Sequence, residues 1–255
     1  MSLHITFLGT GTSSGVPMIG CTCEVCQSTD SHDKRLRSSI MVRSETTTII
    51  IDATPDFRQQ MLREKVMGID AILLTHPHKD HIGGMDDTRA FQYFQQRATK
   101  VYGNKISLDG VKHELPYAFE GPKYPGTPEI ELHEIGLEPF TIGDIHIQPI
   151  EVWHFRLPVY GYRFGDFTYI TDANKINETE LDKIKGTKTL VLNALRHEPH
   201  LSHYTLQEAI AVSNEINPQQ TFFTHVSHQL EKHDDVNKTL PPNMQLAWDG
   251  MQLEF

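Results

Sequence analysis

Four side chains that can bind a metal fall within six residues, His76-Pro77-His78-Lys79-Asp80-His81, directly after the apolar run Ala71-Ile72-Leu73-Leu74. Imidazoles and carboxylates suit zinc, manganese or iron. That density of donors exceeds what one catalytic ion with an open position needs, so the spacing points to a two-metal site. A strand ending at Thr75 would deliver all four donors to one sheet edge. Pro77 keeps a helix from running through the segment, and Gly83-Gly84 lets the chain turn sharply into a helix. The fifteen histidines of the 255 residues point the same way.

A second cluster is Cys21-Thr22-Cys23-Glu24-Val25-Cys26, which holds every cysteine of the chain. Three cysteines cannot close a set of disulfides. Thiols this near one another suggest a structural zinc that takes one further ligand, in a reducing compartment. The formal net charge of −10 excludes the global basic footprint of a nucleic-acid binder. No apolar run approaches the roughly 20 residues of a membrane span. Residues 1–11 lack the basic and apolar regions of a signal peptide, so a cytoplasmic protein is expected. Gly9-Thr10-Gly11-Thr12-Ser13-Ser14 starts like a dinucleotide fingerprint, but Ser14 stands where that motif needs glycine.

The elements that must position these residues alternate short apolar runs with helical patterns. Strands are expected at 5–8, 40–42, 47–51, 71–74, 130–134, 145–152, 160–164, 167–170, 189–192 and 221–224, and near Leu246 and Leu253. Helices are expected at 55–65, 85–96, 109–119, 178–184, 205–216 and 228–237. Asp56 and Thr205 mark helix starts, the latter as a capping box with Glu208. The stretch 120–128, with three prolines and two glycines, reads as an irregular loop. No linker or repeat divides the chain. The expectation is one α/β domain (α+β type) over 1–255, with mixed sheets covered by helices and a zinc loop at 20–27.

At the motif His76-x-His78-x-Asp80-His81 the sequence resembles the metallo-β-lactamase fold superfamily. That resemblance implies a four-layer αββα sandwich of two mixed sheets. It matches Asp52 to the strand-end aspartate supporting the metal loop, and His154, Asp172 and His225 to the remaining ligands. His76, His78 and His154 would then hold one ion, Asp80, His81 and His225 the other, with Asp172 spanning both. The small-residue loop after Phe7, the cysteines and Thr224-His225-Val226-Ser227-His228 resemble the phosphoribosyl cyclic phosphate phosphodiesterases of the carbon–phosphorus lyase pathway. By that likeness His228 joins Cys21, Cys23 and Cys26 on the structural zinc, and His203 is an additional active-site histidine. Asp80, Asp172 and His203 are the candidate catalytic residues.

The function expected is hydrolysis of a small, cyclic phosphodiester such as a ribose cyclic phosphate, by a hydroxide shared between two divalent ions (zinc, manganese or iron). The partners expected are that small molecule and a second copy of the chain as a homodimer, with neither large nucleic acid nor membrane. Two alternatives stay open: a transfer-RNA 3′-processing endonuclease, and a carbonyl hydrolase acting on a β-lactam or thioester. The first usually inserts an RNA-binding arm between the ligands that His154 and Asp172 match, where this chain has only residues 155–171.

Overall fold

The computed structural model describes residues 2–122 and 124–255; Met1, and Lys123 of the expected 120–128 loop, lie outside the described residues. Strands β1 (His4–Gly9), β2 (Ser39–Arg43) and β3 (Thr48–Ile51) form an antiparallel meander. β4 (Ala71–Leu73), β5 (Thr99–Gly103) and β6 (Ile130–Glu134) extend that sheet parallel to β3. In the second sheet β7 (Phe140–Ile142), β8 (Ile145–His154), β9 (Leu157–Phe164) and β10 (Phe167–Tyr169) pair antiparallel in turn. β11 (Lys175–Ile176) edges β8, while β12 (Thr189–Asn193), β13 (Gln220–Thr224) and β14 (Met244–Leu246) run parallel beyond β10. β15 (Gln252–Glu254) crosses back to β1, which gives sheets of seven and eight strands.

Side-chain alternation along the strands builds the layers. Ile49 and Ile51 point into the core between the sheets with Phe7, Val42, Tyr162 and Phe164, while Ile50 points outward to Phe57 and Phe91. In the second sheet Val191 faces the middle, and Leu190 and Leu192 pack outward against Ile184, Ala209 and Val236. Both faces of each sheet are therefore covered, and the arrangement is the expected αββα sandwich. No helix among the described residues is long and apolar enough to cross a membrane.

The local signals hold in most places. Thr205 and Glu208 form the reciprocal capping box at the start of Leu206–Ile216. Asp56 lies at the start of Phe57–Arg63 but caps nothing with its side chain; its carboxylate is taken by the Arg37 guanidinium at 2.7 Å. The helix expected at 228–237 is confined to His233–Thr239, because the chain before it turns to bury Leu230 and bring His228 to the cysteines. The expected 109–119 helix starts earlier, at Lys105, where Asn104 caps it, and breaks before Pro116. β5, β7 and β11 lie beyond the expected strands: exposed Lys100 breaks the apolar run of the first, and the others are three and two residues long. Gly83 and Gly84 both have ordinary negative φ, so torsional freedom is not their role. A Cβ on Gly84 would lie 1.9 Å from the Thr54 carbonyl oxygen, so what they provide is close approach of two backbones.

Candidate active site

The strand ends of both sheets converge where the sequence placed the donors. β4 leads into Thr75 and His76, His78 precedes the short helix Lys79–Ile82, and that helix carries Asp80 and His81. From the other sheet, His154 ends β8, Asp172 follows β10, and His225 follows β13. Asp52, Asp172 and His225 all have positive φ, between 55° and 66°. Left-handed backbone at non-glycine residues is uncommon and gathers at functional sites. Here it falls on two candidate ligands, Asp172 and His225, and on Asp52, which bonds His81.

Two neighbouring clusters result, His76 with His78 and His154, and Asp80 with His81, Asp172 and His225; within each, the ligand atoms lie within 4.8 Å of one another. Asp172 also falls in a third group with His154 and His203. Hydrogen bonds set the ring nitrogens. His81 Nδ1 donates to Asp52 Oδ2 at 2.6 Å, and His154 Nδ1 donates to the Ser202 carbonyl at 2.9 Å. Thr75 donates its backbone N–H and its hydroxyl to Asp52, so that hydroxyl can accept from His76 Nδ1 at 3.0 Å. The Nε2 lone pairs of His76, His81 and His154 therefore point inward, an arrangement typical of metal-ligating imidazoles held by outer partners.

His76 Nε2 meets His78 Nδ1 at 3.0 Å, whereas other inward ring nitrogens lack a donor. His81 Nε2 lies 3.3 Å from Asp80 and 3.2 Å from Asp172, and His225 Nδ1 lies 3.2 Å from Asp172. His81 Nε2, His203 Nδ1 and His225 Nδ1 are buried without a hydrogen-bond partner. Buried acceptors turned toward carboxylates are costly unless a cation sits among them. Burial alone would push His81 down, yet the carboxylates of Asp80, Asp172 and Asp52 hold it well above the ordinary histidine value. Burial opposes ionisation of Asp172 too, but His225 and His81 hold its carboxyl well below the usual range. Burial keeps His76 well below the histidine value, and pushes His203 down to about 3. The donor set fits divalent cations in both clusters.

His203 borders both clusters: its ring stacks 4.9 Å from His225 and meets His154 edge-on at 4.5 Å. At the cysteine loop, His228 Nδ1 lies 3.3 Å from Cys21 Sγ and 3.4 Å from Cys23 Sγ, and Cys26 completes the group. The backbone N–H of Cys26, then His228, lowers the Cys23 thiol to about 6, while burial raises Cys26 to about 11. The structure thus brings together Cys21, Cys23, Cys26 and His228, then His76, His78 and His154, and then Asp80, His81, Asp172 and His225, while Asp172 reaches the first histidine cluster only through His154.

Residues 47–226 match the family described as Beta-lactamase superfamily domain. The chain belongs to the beta-lactamase superfamily. This superfamily domain is similar to a diphosphatase from the PhnP family, with a TM-score of 0.94 and 40% identity, covering 100% of this chain and 98% of that one. It is 39% identical to an octanoyltransferase of Porphyromonas gingivalis over 98% of this chain but 51% of the relative, so the chain spans about half of that protein. Zn(2+)-bound PqqB from Methylobacterium extorquens shares the fold, with a TM-score of 0.81, 18% identity, and 98% and 99% of the two chains covered. Superfamily fold and donor set together are those of a metal-dependent hydrolase.

Sequence reasoning missed several supports of the superfamily site. The Thr12 hydroxyl lies 3.3 Å from His225 Nε2, at the other side of the ring from Asp172. Thr12 lies in the small-residue loop, whose composition was the available signal. Asn174 donates its side-chain N–H to the Leu201 carbonyl and accepts the Phe155 N–H, both at 2.9 Å. Nothing in the local sequence marks that role.

Proposed function

We propose that the chain hydrolyses a small phosphodiester with two divalent ions, zinc, manganese or iron, held by the superfamily site. The observation that carries this reading is the pair of donor clusters meeting at Asp172, with unpartnered imidazole nitrogens turned inward. His76, His78 and His154 would hold one ion and Asp80, His81 and His225 the other, with Asp172 between them. When bound, such ions supply positive charge at the phosphoryl oxygens and acidify water. The protein's own part is to hold these ligands in a fixed tautomer and geometry through Asp52, Thr75, Thr12 and the Ser202 carbonyl. Water's oxygen would bond to phosphorus as the P–O bond to the leaving group breaks, and the proton given up by the water would be taken up by the leaving oxygen. His203, beside both clusters, contacts the phosphoryl or leaving oxygen. Cys21, Cys23, Cys26 and His228 would hold a structural zinc that fixes the loop beside His225.

A cyclic ester is the substrate favoured by the sequence resemblance. The similar diphosphatase favours a second reading, in which the bond cleaved joins two phosphates. Between His154 and Asp172 lie β9, a tight turn and β10, which leaves no space for an RNA-binding arm. The test is turnover by manganese-reconstituted protein of a cyclic ribose phosphate, a diphosphate ester, a linear diester and a thioester. Preferential cleavage of either of the first two supports this function. Thioester cleavage alone overturns it.

A further inference from the structure

Two short helices on the outer face of the first sheet leave an apolar groove uncovered. Helix Phe57–Arg63 follows Asp52, and helix Arg89–Gln95 follows the metal motif. Phe57, Met61 and Phe91 turn inward, and the Phe57 and Phe91 rings meet edge-on at 6.1 Å. Along the rims, however, Leu62, Met67 and Phe94 are 61%, 86% and 77% exposed, and the volume between them is about 350 Å³. A surface helix normally turns polar residues outward. Here Ala90 and Phe94, one turn apart, face solvent, with the exposed Tyr93 ring edge-on to Phe94 at 5.1 Å.

The groove is formed before anything docks in it. Gly84 donates its N–H to the Ala53 carbonyl at 2.8 Å and leaves room for the Thr54 carbonyl, so the segments entering the two helices are held together. Phe94 forms the ridge between this groove and a second concavity bordered by Tyr93, Arg97 and Gly126. Exposed apolar side chains of this size, Leu62, Met67, Tyr93 and Phe94 together, present on the order of 500 Å². That equals the largest apolar patches of monomers, which are commonly binding surfaces, and is over half of the ~800 Å² that one partner of a stable dimer buries. Ile19 and Leu201, also exposed, stand on separate loops.

The two walls carry opposite charges. Arg58 stands on the first helix and Asp87 at the entry to the second, and both line the groove. Among the described residues neither side chain makes an ion pair or a hydrogen bond, although the neighbouring Asp86 pairs with Arg89 and Asp56 with Arg37. A twofold axis along the groove sets each wall of one copy over the opposite wall of the other. Arg58 then meets the partner's Asp87, and Asp87 the partner's Arg58, while each Phe94 ridge enters a concavity of the facing copy. An axis across the groove would set like charges together. Self-complementary charge of this kind selects a second copy of this chain over an unrelated partner.

We propose that this face is the interface of a homodimer, with its twofold axis lying along the groove between the two helices. The mass of the metal-loaded full chain, read by sedimentation equilibrium over about 1–100 µM, tests it. The unaltered protein should be a dimer. Phe94→Glu, which puts a charge into the apolar contact, should raise the dissociation constant about tenfold or more and leave the metal content unchanged. Arg58→Glu and Asp87→Lys should each weaken the dimer about tenfold. The double variant re-forms both pairs with the charges exchanged and should regain most of the lost affinity, a rescue that damage to the fold would not produce. A monomer at every concentration would overturn the proposal and leave the face to a different protein. A dimer unaffected by Phe94→Glu would overturn it by placing the interface elsewhere, and a double variant as weak as the single ones would overturn the twofold arrangement.

Discussion

Asp52 Oδ2 lies 2.6 Å from His81 Nδ1, and both side chains are fully buried. The carboxylate fixes which nitrogen of His81 faces the donor cluster, and it also accepts the N–H and hydroxyl of Thr75 at the head of the metal loop. Asp52→Asn keeps the shape but removes the charge. It should weaken metal retention about 10–100-fold, the usual effect of losing an outer partner of a ligating histidine. Metal content after graded chelator dialysis measures this; unchanged retention would show that Asp52 serves folding alone.

Asp172→Asn should abolish phosphoester turnover. Asparagine tolerates the positive φ of 55° at this position, so the loss reports the missing carboxylate and not a distorted backbone. Steady-state turnover and metal stoichiometry are measured on the same sample. Full activity with two catalytic ions retained would remove Asp172 from its assigned role.

His203→Ala should spare the metal content and lower turnover by about 10²-fold or more. The ring touches the clusters by stacking and makes no hydrogen bond of its own at Nδ1, so removing it leaves the ligand network whole. A loss of metal equal to the loss of rate would make His203 a ligand instead.

Cys23→Ser should remove one zinc per chain and leave the catalytic pair in place. Structural zinc sites contribute on the order of 10 kcal/mol to folding, so a large drop in melting temperature is expected. Elemental analysis together with thermal unfolding decides this. An unchanged metal count would mean that the three thiols and His228 pack without a metal.

Stability should fall on mild acidification through His233. Burial, then the neighbouring Arg35 and His32, lower this imidazole from 6.5 to about 4, and the Arg35 guanidinium donates to its Nδ1 at 3.1 Å. Between those two values the unfolded chain binds a proton that the folded chain refuses, so stability drops as pH falls through this window. Asp249 works the other way: burial raises it from 3.8 to about 6, so it favours the folded state as pH falls over its own window. The comparison with His233→Gln isolates the histidine. Between pH 6.5 and 4 the variant's melting temperature should fall less, or rise more, than that of the unaltered protein, and identical slopes would dismiss the prediction.

The first four donors were legible in the sequence because they sit in one contiguous run, while the others were matched through the superfamily resemblance, each after an apolar strand. Asp52, His154, Asp172 and His225 all stand at the strand ends where their flanking residues placed them. What stayed hidden depends on distant backbone. Gly84 reads as a flexible turn, yet its role is set by the Thr54 carbonyl thirty residues earlier in sequence. Asn174 ties Phe155 to Leu201 through contacts that no local pattern encodes. Asp56 has the residue type of a helix cap, but Arg37 competes for its carboxylate and wins, since a charged pair outweighs one exposed N–H bond.

Each donor cluster draws from both halves of the sandwich. His76 and His78 follow β4 of one sheet while His154 ends β8 of the other, and Asp80 and His81 face Asp172 and His225 across the same seam. A cation in either cluster would act as a rivet through the two sheets, so its affinity and the cohesion of the sandwich form one linked quantity. A core substitution far from the ligands that loosens this seam would then be felt first as a weaker grip on metal.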